Sequence, residues 1–140
     1  MSLTDGLRLT PAQWGAIAEH LTRALPEEAC GLLGGLAGQV RAVYPVTNRL
    51  RSPVAYEMEP TEQIRAMLAI EDAGWEITGI FHSHPAGPAG PSPTDIAQAF
   101  YPDSIYVICA PAEAGPGRWH GRAFRIVDGQ VSEVPLEIRE

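Results

Sequence analysis

The chain has 140 residues, of which 45% are hydrophobic and 19% are charged, a balance typical of a globular rather than a disordered protein. Its formal net charge of −7 argues against a nucleic-acid partner, which would require a basic surface. The length predicts a single domain over residues 1–140 that can bury a core without disulfides.

Targeting and anchoring segments are not evident in the sequence. Residues 1–9 lack the basic and apolar regions of a signal peptide, and no apolar stretch is long enough to span a membrane. The two cysteines, Cys30 and Cys109, lie in apolar strand-like runs, so we expect buried free thiols in a reducing compartment. The sequence therefore leads us to expect a cytoplasmic protein that does not contact membranes.

The first half of the chain predicts two helices and three strands. Thr10 and Pro11 form a typical helix start, a capping residue followed by proline. The apolar stripe of this helix consists of Trp14, Ile17, Ala18, Leu21 and Leu25. Apolar runs and alternating patterns then predict strands over residues 29–36, 39–46 and 54–58, a loop over residues 48–53 and a helix over residues 61–73.

The second half of the chain is richer in strands. The predicted strands cover residues 75–84, 105–110, 119–127 and 131–134, with a helix over residues 92–101 and a loop over residues 112–117. Strands therefore group at both ends of the chain, with helices between them. This order favours an α+β fold over a doubly wound parallel sheet.

The most specific pattern is a pair of histidines two residues apart at the end of a predicted strand. His82 and His84 would point to the same side of an extended strand, so their ring nitrogens can converge on one point about 2 Å from each. Asp95 follows at the start of the next predicted helix. Two imidazoles and one carboxylate leave a fourth position free, which is typical of a catalytic zinc site.

The residues between these candidate ligands support the arrangement. His84 precedes Pro85, which favours extended geometry, and residues 85–91 combine stiff prolines with permissive glycines. Ser92 is a predicted N-cap, followed by proline, with Asp95 three residues on. We therefore expect Asp95 to be held in the first turn of a helix.

Two alternative interpretations of these residues compete with a zinc site. Asp95 alone fits a simple capping box and the histidines alone fit ordinary strand ends, but the joint spacing disfavours that interpretation. Two histidines and a carboxylate also describe the facial triad of non-haem iron oxygenases. No second signal points to the co-substrate pocket that an iron oxygenase needs.

A hydrolase would need one more acidic group that is not a metal ligand. The candidates are Glu27 and Glu28, which precede the predicted strand over residues 29–36. A pair of glutamates after Pro26 is also compatible with a solvated turn. The residues alone do not choose between the two acids.

Taken together, these residues resemble a known family. The pattern consists of Glu28, then His82-Ser83-His84, seven further residues, Ser92, two further residues and Asp95. This pattern matches the signature of the JAMM (MPN+) metalloproteases. The resemblance extends to PEEACGLLG at residues 26–34, Asn48, YEMEP at residues 56–60, YVI at residues 106–108 and RAFRI at residues 122–126. The resemblance covers residues 8–134, and within the family the chain is most similar to the compact prokaryotic branch.

The resemblance implies a role for each signature residue. His82, His84 and Asp95 would bind one Zn²⁺ per chain, and Glu28, rather than Glu27, would act as general base and acid. Ser92 would help to stabilise the oxyanion of the reaction. Ser83, between the two histidines, would be structural support.

The resemblance also implies a fold and an activity. The fold is the MPN fold, a curved and mostly antiparallel sheet flanked by about three helices. The activity is that of a zinc-dependent peptidase or isopeptidase acting after the C-terminal Gly-Gly of a ubiquitin-like or sulfur-carrier protein. The predicted strand over residues 54–58 is the expected edge along which such a tail lies. A non-catalytic MPN scaffold is the alternative, and a homodimer is left open.

Two departures from the family pattern accompany the resemblance. Glu59 stands where the family often has an aspartate before the proline of the second helix, and glutamate is a poorer helix cap. The chain also lacks the insertions that larger eukaryotic relatives use to hold ubiquitin. Selectivity for one ubiquitin linkage is therefore not expected.

Overall fold

The structure is a computed structural model that describes residues 6–112 and 117–140. Most of the loop predicted over residues 112–117 lies outside the described residues. The helices are α1 (Pro11–Ala24), α2 (Pro60–Asp72) and α3 (Pro93–Ala97). The strands are β1 (Leu7–Leu9), β2 (Cys30–Leu36), β3 (Gln39–Val46), β4 (Glu76–Ser83), β5 (Ile105–Pro111), β6 (Trp119–Val127), β7 (Gln130–Val134) and β8 (Leu136–Ile138).

All eight described strands belong to one sheet, in the order β7-β6-β5-β4-β2-β3-β1-β8. The pairs β1–β3, β1–β8 and β4–β5 are parallel, and the other four neighbouring pairs are antiparallel. Only Pro135 separates β7 from β8, although these two strands lie at opposite ends of the sheet order. The sheet therefore curves until its edges approach each other, which confirms the α+β class with a curved, mostly antiparallel sheet.

The two longer helices cover opposite faces of this sheet. Helix α1 packs Ile17 and Leu21 into one apolar cluster, and α2 packs Ala66 and Ile70 into the other. Neighbouring residues along each central strand alternate between the two clusters, as the pleat of a strand requires. On the α1 side lie Leu33, Phe81 and Val107, and on the α2 side lie Leu32, Ile80 and Ile108.

A glycine in β2 permits close packing at the centre of the sheet. A Cβ atom at Gly31 would clash with the ring of Phe81 and lie 2.6 Å from the carbonyl oxygen of Tyr44. Glycine is therefore needed here so that the Phe81 ring can pack directly over the β2 backbone. The glycine-bearing run over residues 29–36 predicted such close neighbours.

The prediction of a strand over residues 54–58 is wrong. In this segment the structure shows an isolated bridge between Met58 and Asn48, and no strand. The Asn48 side chain accepts hydrogen bonds from the backbone of Leu50 and Glu57 and donates one to the carbonyl of Ala55. Backbone groups that a strand ladder would use are therefore bound to a side chain instead.

Three helix boundaries also differ from the prediction. Helix α1 ends at Ala24, so Leu25 caps the helix and is exposed rather than part of the apolar stripe. Helix α2 begins at Pro60, and the Glu59 carboxylate caps it by accepting hydrogen bonds from the backbone of Thr61 and Glu62. Glutamate therefore serves as an effective cap at this position.

Helix α3 ends at Ala97 instead of extending to residue 101. Tyr101 precedes Pro102, and a residue before proline is disfavoured in helical geometry. The backbone N–H of Tyr101 donates to the hydroxyl of Tyr106 instead of continuing the helix. The helix is therefore just long enough to carry its first turn, which contains Asp95.

Strands β1 and β8 were missed by the sequence patterns. Each has three residues, which is too short for an alternating pattern to be distinguished from a loop. Both cysteines are buried free thiols, as predicted. Among the helices of the described residues, none is both long and apolar enough to cross a bilayer.

Candidate metal centre

The three predicted ligands converge at the end of β4. The Nε2 atoms of His82 and His84 lie 3.0 Å apart. One oxygen of Asp95 lies 3.2 Å from Nε2 of His82, and the other lies 3.0 Å from Nε2 of His84. Alternation along β4 explains why both rings point to the α2 face, the side on which Ile80 is buried.

The start of α3 holds the Asp95 carboxylate in this position. Ser92 is the N-cap, and its hydroxyl accepts a hydrogen bond of 3.0 Å from the backbone N–H of Asp95. The backbone N–H of Ser92 donates to an Asp95 carboxylate oxygen at 2.9 Å. The same carboxylate thus completes a capping box and contacts both histidines, so capping alone does not account for it.

Each histidine is fixed by a different environment. Nδ1 of His84 donates a hydrogen bond of 2.8 Å to the carbonyl oxygen of Pro88, which leaves Nε2 with the lone pair that a metal requires. The His82 ring is 1% exposed and stacks on Tyr56 with ring centroids 4.6 Å apart. Its Nδ1 atom has no hydrogen-bond partner among the described residues.

The strand register brings Glu28 to the same place. Strands β2 and β4 are antiparallel with Cys30 opposite His82, and the bond from the backbone N–H of Ser83 to the carbonyl of Ala29 extends this register. Glu28 consequently lies beside His84 on the same face. A Glu28 carboxylate oxygen lies within 4.8 Å of a ring nitrogen of each histidine.

Of the two candidate acids, the structure brings Glu28 into the cluster. Glu28 is 4% exposed, and the metal-compatible group found among the described residues consists of Glu28, His82 and His84. Glu27 is not part of this group, and it lines a neighbouring depression that Glu28 also borders. The long-range pairing of β2 with β4 therefore favours Glu28 over Glu27 as the candidate acid.

Ser83 joins the strands that carry these groups. Its hydroxyl accepts a hydrogen bond of 2.9 Å from the backbone N–H of Ala29, and its own N–H donates to the carbonyl of Ala29 at 3.0 Å. The Ser83 side chain points away from the two histidines, because adjacent strand residues face opposite sides. These contacts are those of a structural support next to Glu28.

The donor set and its spacing fit a tetrahedral metal. Zinc bonded to nitrogen and oxygen at about 2.0–2.1 Å has ligand atoms about 3.3–3.4 Å apart. The distances of 3.0–3.2 Å among His82, His84 and Asp95 are close to this value. A Glu28 carboxylate oxygen lies within 4.8 Å of a ring nitrogen of each histidine, which places it within reach of a solvent molecule bound at this centre.

Comparisons with known proteins identify the family. The model of a family described as prokaryotic homologues of the JAB domain matches residues 10–127. The chain belongs to this family. The match agrees with the resemblance to the JAMM (MPN+) metalloproteases that the signature residues indicate.

Several relatives of this JAB-domain protein are similar over most of its length. The CysO-cysteine peptidase of Mycobacterium tuberculosis is 41% identical over 127 residues, which cover 89% of this chain and 86% of the relative. The probable TtuB-protein conjugate cleaving protease of Thermus thermophilus is 43% identical over 120 residues, which cover 85% of this chain and 74% of the relative.

Solved structures share the fold of the JAB-domain chain. A solution structure of a Desulfitobacterium hafniense protein has a TM-score of 0.82 and 38% identity, with 96% of this chain and 93% of that one covered. A JAB1/MPN domain protein of Archaeoglobus fulgidus has a TM-score of 0.61 and 19% identity, with 96% and 100% covered. The predicted MPN fold is therefore confirmed.

Burial and charge shift the pKa values of the four JAB-domain site residues. Burial raises the pKa of Glu28 to about 7, against a smaller lowering by His84. Burial also works to raise the pKa of Asp95, but hydrogen bonds from His82 and His84 hold it well below its ordinary value. Burial lowers the pKa of His82, whereas the hydrogen bond with Asp95 raises the pKa of His84.

A cleft of about 380 Å³ opens over the candidate site of the JAB domain. Glu28, His84 and Ser92 line it, so the candidate base, one candidate ligand and the candidate oxyanion group face the same space. One wall carries Pro53 and Val54, and Val54 is 82% exposed. The other wall is formed by prolines, glycines and one alanine, namely Ala86, Gly87, Pro88, Gly90, Pro91 and Pro93.

A second groove of about 370 Å³ lies on the other side of residues 50–58. Leu50 and Tyr56 line it from this segment, and Gln98 and Phe100 line it from the end of α3. Phe100 is strongly exposed. Sequence patterns did not predict this groove, because it depends on the packing of residues 50–58 against residues 94–101.

Tyr56 and Asn48 are site neighbours to which sequence reasoning assigned no role. Tyr56 stacks on His82, and Asn48 donates a hydrogen bond to the carbonyl oxygen of Glu28. Both residues belong to the motifs that carry the family resemblance. Asn48 also stands at the start of a predicted loop, where an asparagine often binds the backbone of nearby residues.

Proposed function

We propose that this JAB-domain protein is a zinc-dependent peptidase or isopeptidase that cleaves amide bonds at the C-terminal tail of ubiquitin-like or sulfur-carrier proteins. The observation that carries the proposal is the convergence of His82, His84 and Asp95, with Glu28 in reach, beside an open cleft. The relatives named as a CysO-cysteine peptidase and a TtuB-protein conjugate cleaving protease support the substrate class.

Three side chains of the cluster are the proposed metal ligands. His82 and His84 would bind Zn²⁺ through Nε2, and Asp95 would bind through a carboxylate oxygen, with one ion per chain. When bound, zinc lowers the pKa of water and polarises a carbonyl group. The low pKa of Asp95 keeps its carboxylate ionised for this role at neutral pH.

Glu28 is the proposed general base and acid. In the metal-free protein burial raises its pKa to about 7, which suits a group that takes up and releases protons near neutral pH. Glu28 would accept a proton from the attacking water and pass it to the leaving amine. The carboxylate lines the cleft but is almost completely buried.

Ser92 is the proposed oxyanion group. Its hydroxyl oxygen accepts from the N–H of Asp95, so its O–H remains available to donate into the cleft. A donor placed where negative charge develops stabilises the transition state more than the ground state. The Ser92 hydroxyl would thus serve the helix cap and the reaction together.

The cleft suits a tail that ends in Gly-Gly. Its walls are built mainly of proline, glycine and alanine, and they leave room for an extended peptide without side chains. Because residues 54–58 form no strand, the tail would lie between Pro53 and Val54 on one side and residues 86–93 on the other. Glycines pass through such a space more easily than branched residues.

A carrier-cleavage assay tests the proposal. The substrate is a small carrier protein that ends in Gly-Gly followed by one added residue, and mass spectrometry follows the loss of that residue. We expect release by the zinc-loaded protein and a decrease of about 10²–10⁴-fold in Glu28→Gln, since a general acid–base group contributes about that much. Glu27→Gln is the matched control and should stay close to the wild-type rate.

Three results would contradict parts of this proposal. Undiminished release by Glu28→Gln would exclude Glu28 as the base. A protein that binds no metal at micromolar zinc would favour the non-catalytic scaffold, and stoichiometric iron with oxygen-dependent turnover would favour the iron enzyme. Metal analysis of protein purified without added metal distinguishes these cases.

Two further expectations from the sequence stay predictions, a single domain over residues 1–140 and a cytoplasmic location. A homodimer is still left open. The two buried free thiols support a reducing compartment. Light scattering after size-exclusion chromatography would decide the oligomeric state.

A further inference from the structure

The segment that carries Glu28 is held by a loop rather than by the sheet alone. Strand β2 begins at Cys30, so Glu28 precedes the ladder. Its backbone N–H donates a hydrogen bond of 2.8 Å to the carbonyl of Ser52. Its carbonyl oxygen accepts a hydrogen bond of 3.0 Å from Nδ2 of Asn48. Both backbone groups of Glu28 are therefore bound to the segment of residues 48–57, which we call the Asn48 loop.

The Asn48 side chain is the centre of this loop. Its Nδ2 atom donates to the carbonyls of Glu28 and Ala55, each at 3.0 Å. Its Oδ1 atom accepts from the backbone N–H groups of Leu50 at 3.0 Å and Glu57 at 3.1 Å. Asn48 is 6% exposed, and these four bonds use its full capacity. A buried side chain with such a complete set of bonds fixes one conformation of its surroundings.

The same loop faces the space that the substrate would occupy. Pro53 and Val54 form one wall of the cleft, opposite His84 and Ser92. Ala55 lines the second groove behind them. A peptide in the cleft would thus contact the loop whose anchor is bonded directly to the backbone of Glu28.

We propose that Asn48 is a positioning residue that sets the Glu28 carboxylate against the histidines and connects it to the substrate-facing Asn48 loop. The inference rests on the proposed function for its catalytic consequence. The structural link between Asn48 and Glu28 stands independently of that function. Without the Asn48 amide, the Glu28 carbonyl loses its partner and the Asn48 loop loses its anchor.

Two substitutions separate the parts of this role. Asn48→Ala removes all four hydrogen bonds. Asn48→Asp keeps an acceptor for Leu50 and Glu57 but replaces the donor to Glu28 with a carboxylate oxygen. Ser104→Ala is the matched control, because Ser104 is also buried and its hydroxyl donates a bond of 2.6 Å to the carbonyl of Ile77, at the other end of β4.

The first measurement is amide hydrogen exchange by NMR on the folded protein. We expect the Glu28 amide to exchange at least about tenfold faster in Asn48→Ala and Asn48→Asp than in Ser104→Ala, because its bond to Ser52 depends on the position of the Asn48 loop. Equal protection of the Glu28 amide in all three variants would overturn the inference. This readout needs neither a substrate nor a metal.

The second measurement is steady-state cleavage of the carrier substrate. We expect Asn48→Asp to lower kcat about 10–100-fold, the effect of a small misplacement of a catalytic group. The KM should change less than kcat, because the loop keeps its bonds at Leu50 and Glu57. A kcat equal to that of Ser104→Ala would overturn the inference. If the wild-type protein cleaves no carrier, the proposed function fails, and amide exchange still decides whether Asn48 holds Glu28.

Discussion

At the scale of single residues, the burial that suits Glu28 for proton transfer also lowers the free energy of unfolding once its carboxyl ionises. The residue is 4% exposed, and burial raises the pKa of its carboxyl from 4.5 to about 7. Between these values the unfolded chain loses the proton while the folded chain retains it. The contribution of Glu28 to stability is therefore fully present below pH 4.5 and is lost as the pH rises through 7.

This linkage predicts that Glu28→Gln stabilises the metal-free protein at neutral and alkaline pH. At pH 8 we expect a gain of about 1–3 kcal/mol in the free energy of unfolding, after allowance for solvent screening. At pH 4 the gain should vanish, because Glu28 is protonated in both states. Urea unfolding at the two pH values measures the difference. Glu27→Gln is the control, and a gain independent of pH would show that burial of Glu28 is not the cause.

The candidate ligands were predictable at this scale, and the base was not. His82, His84 and Asp95 lie within 14 consecutive residues, so local rules of strand alternation and helix capping are enough to bring them together. Glu28 is 54 residues before His82 in the sequence. Only the β2–β4 register, which no local pattern specifies, distinguishes it from Glu27. The resemblance to a family supplied the choice that physical reasoning left open.

At the scale of elements, the short helix α3 orients the Asp95 carboxylate. It has five residues, and its capping box fixes Asp95 through Ser92. Such a short helix has little stability of its own, so its start depends on the cap and on the contacts of Asp95. The prediction of residues 92–101 was correct about the start and too long at the end, because capping residues define the start of a helix better than they define its end.

Removing the cap of α3 should therefore affect metal binding. We expect Ser92→Ala to reduce stability by about 1 kcal/mol and zinc affinity about 10–100-fold, because the carboxylate loses its orientation. Titration calorimetry with zinc measures the second effect. Thr10→Ala removes the equivalent capping box of α1, far along the chain, and should cost similar stability with unchanged zinc affinity. Equal zinc affinity of both variants would contradict this role of the cap.

The loop between β3 and α2 shows the limit of element prediction. Residues 54–58 have a strand-like composition, but the Asn48 side chain binds the backbone of residues 50, 55 and 57. A side chain that replaces a neighbouring strand cannot be read from hydrophobic periodicity. The hydrogen bonds of Asn48 that prevent a strand here also hold the loop that forms one wall of the cleft.

At the scale of the whole molecule, the strand order places the site at the end of a central strand. Strand β4 lies between β2 and β5 near the centre of the sheet. The candidate site lies where β4 ends, next to the residues that precede β2 and to the start of α3. The central strands and two longer helices were predictable from apolar patterns, since their alternation matches the two apolar clusters. Strands β1 and β8 depend on closure of the curved sheet, which no local pattern contains.

The central claim is that His82, His84 and Asp95 bind one zinc ion while Glu28 stays outside the bonding distance. Anomalous diffraction at the zinc edge from crystals of the zinc-loaded protein tests it most directly. We predict one peak per chain, about 2.0–2.2 Å from Nε2 of each histidine and from one Asp95 oxygen, with Glu28 farther away. A peak bonded to Glu28 in place of Asp95, or no peak at these side chains, would contradict the account.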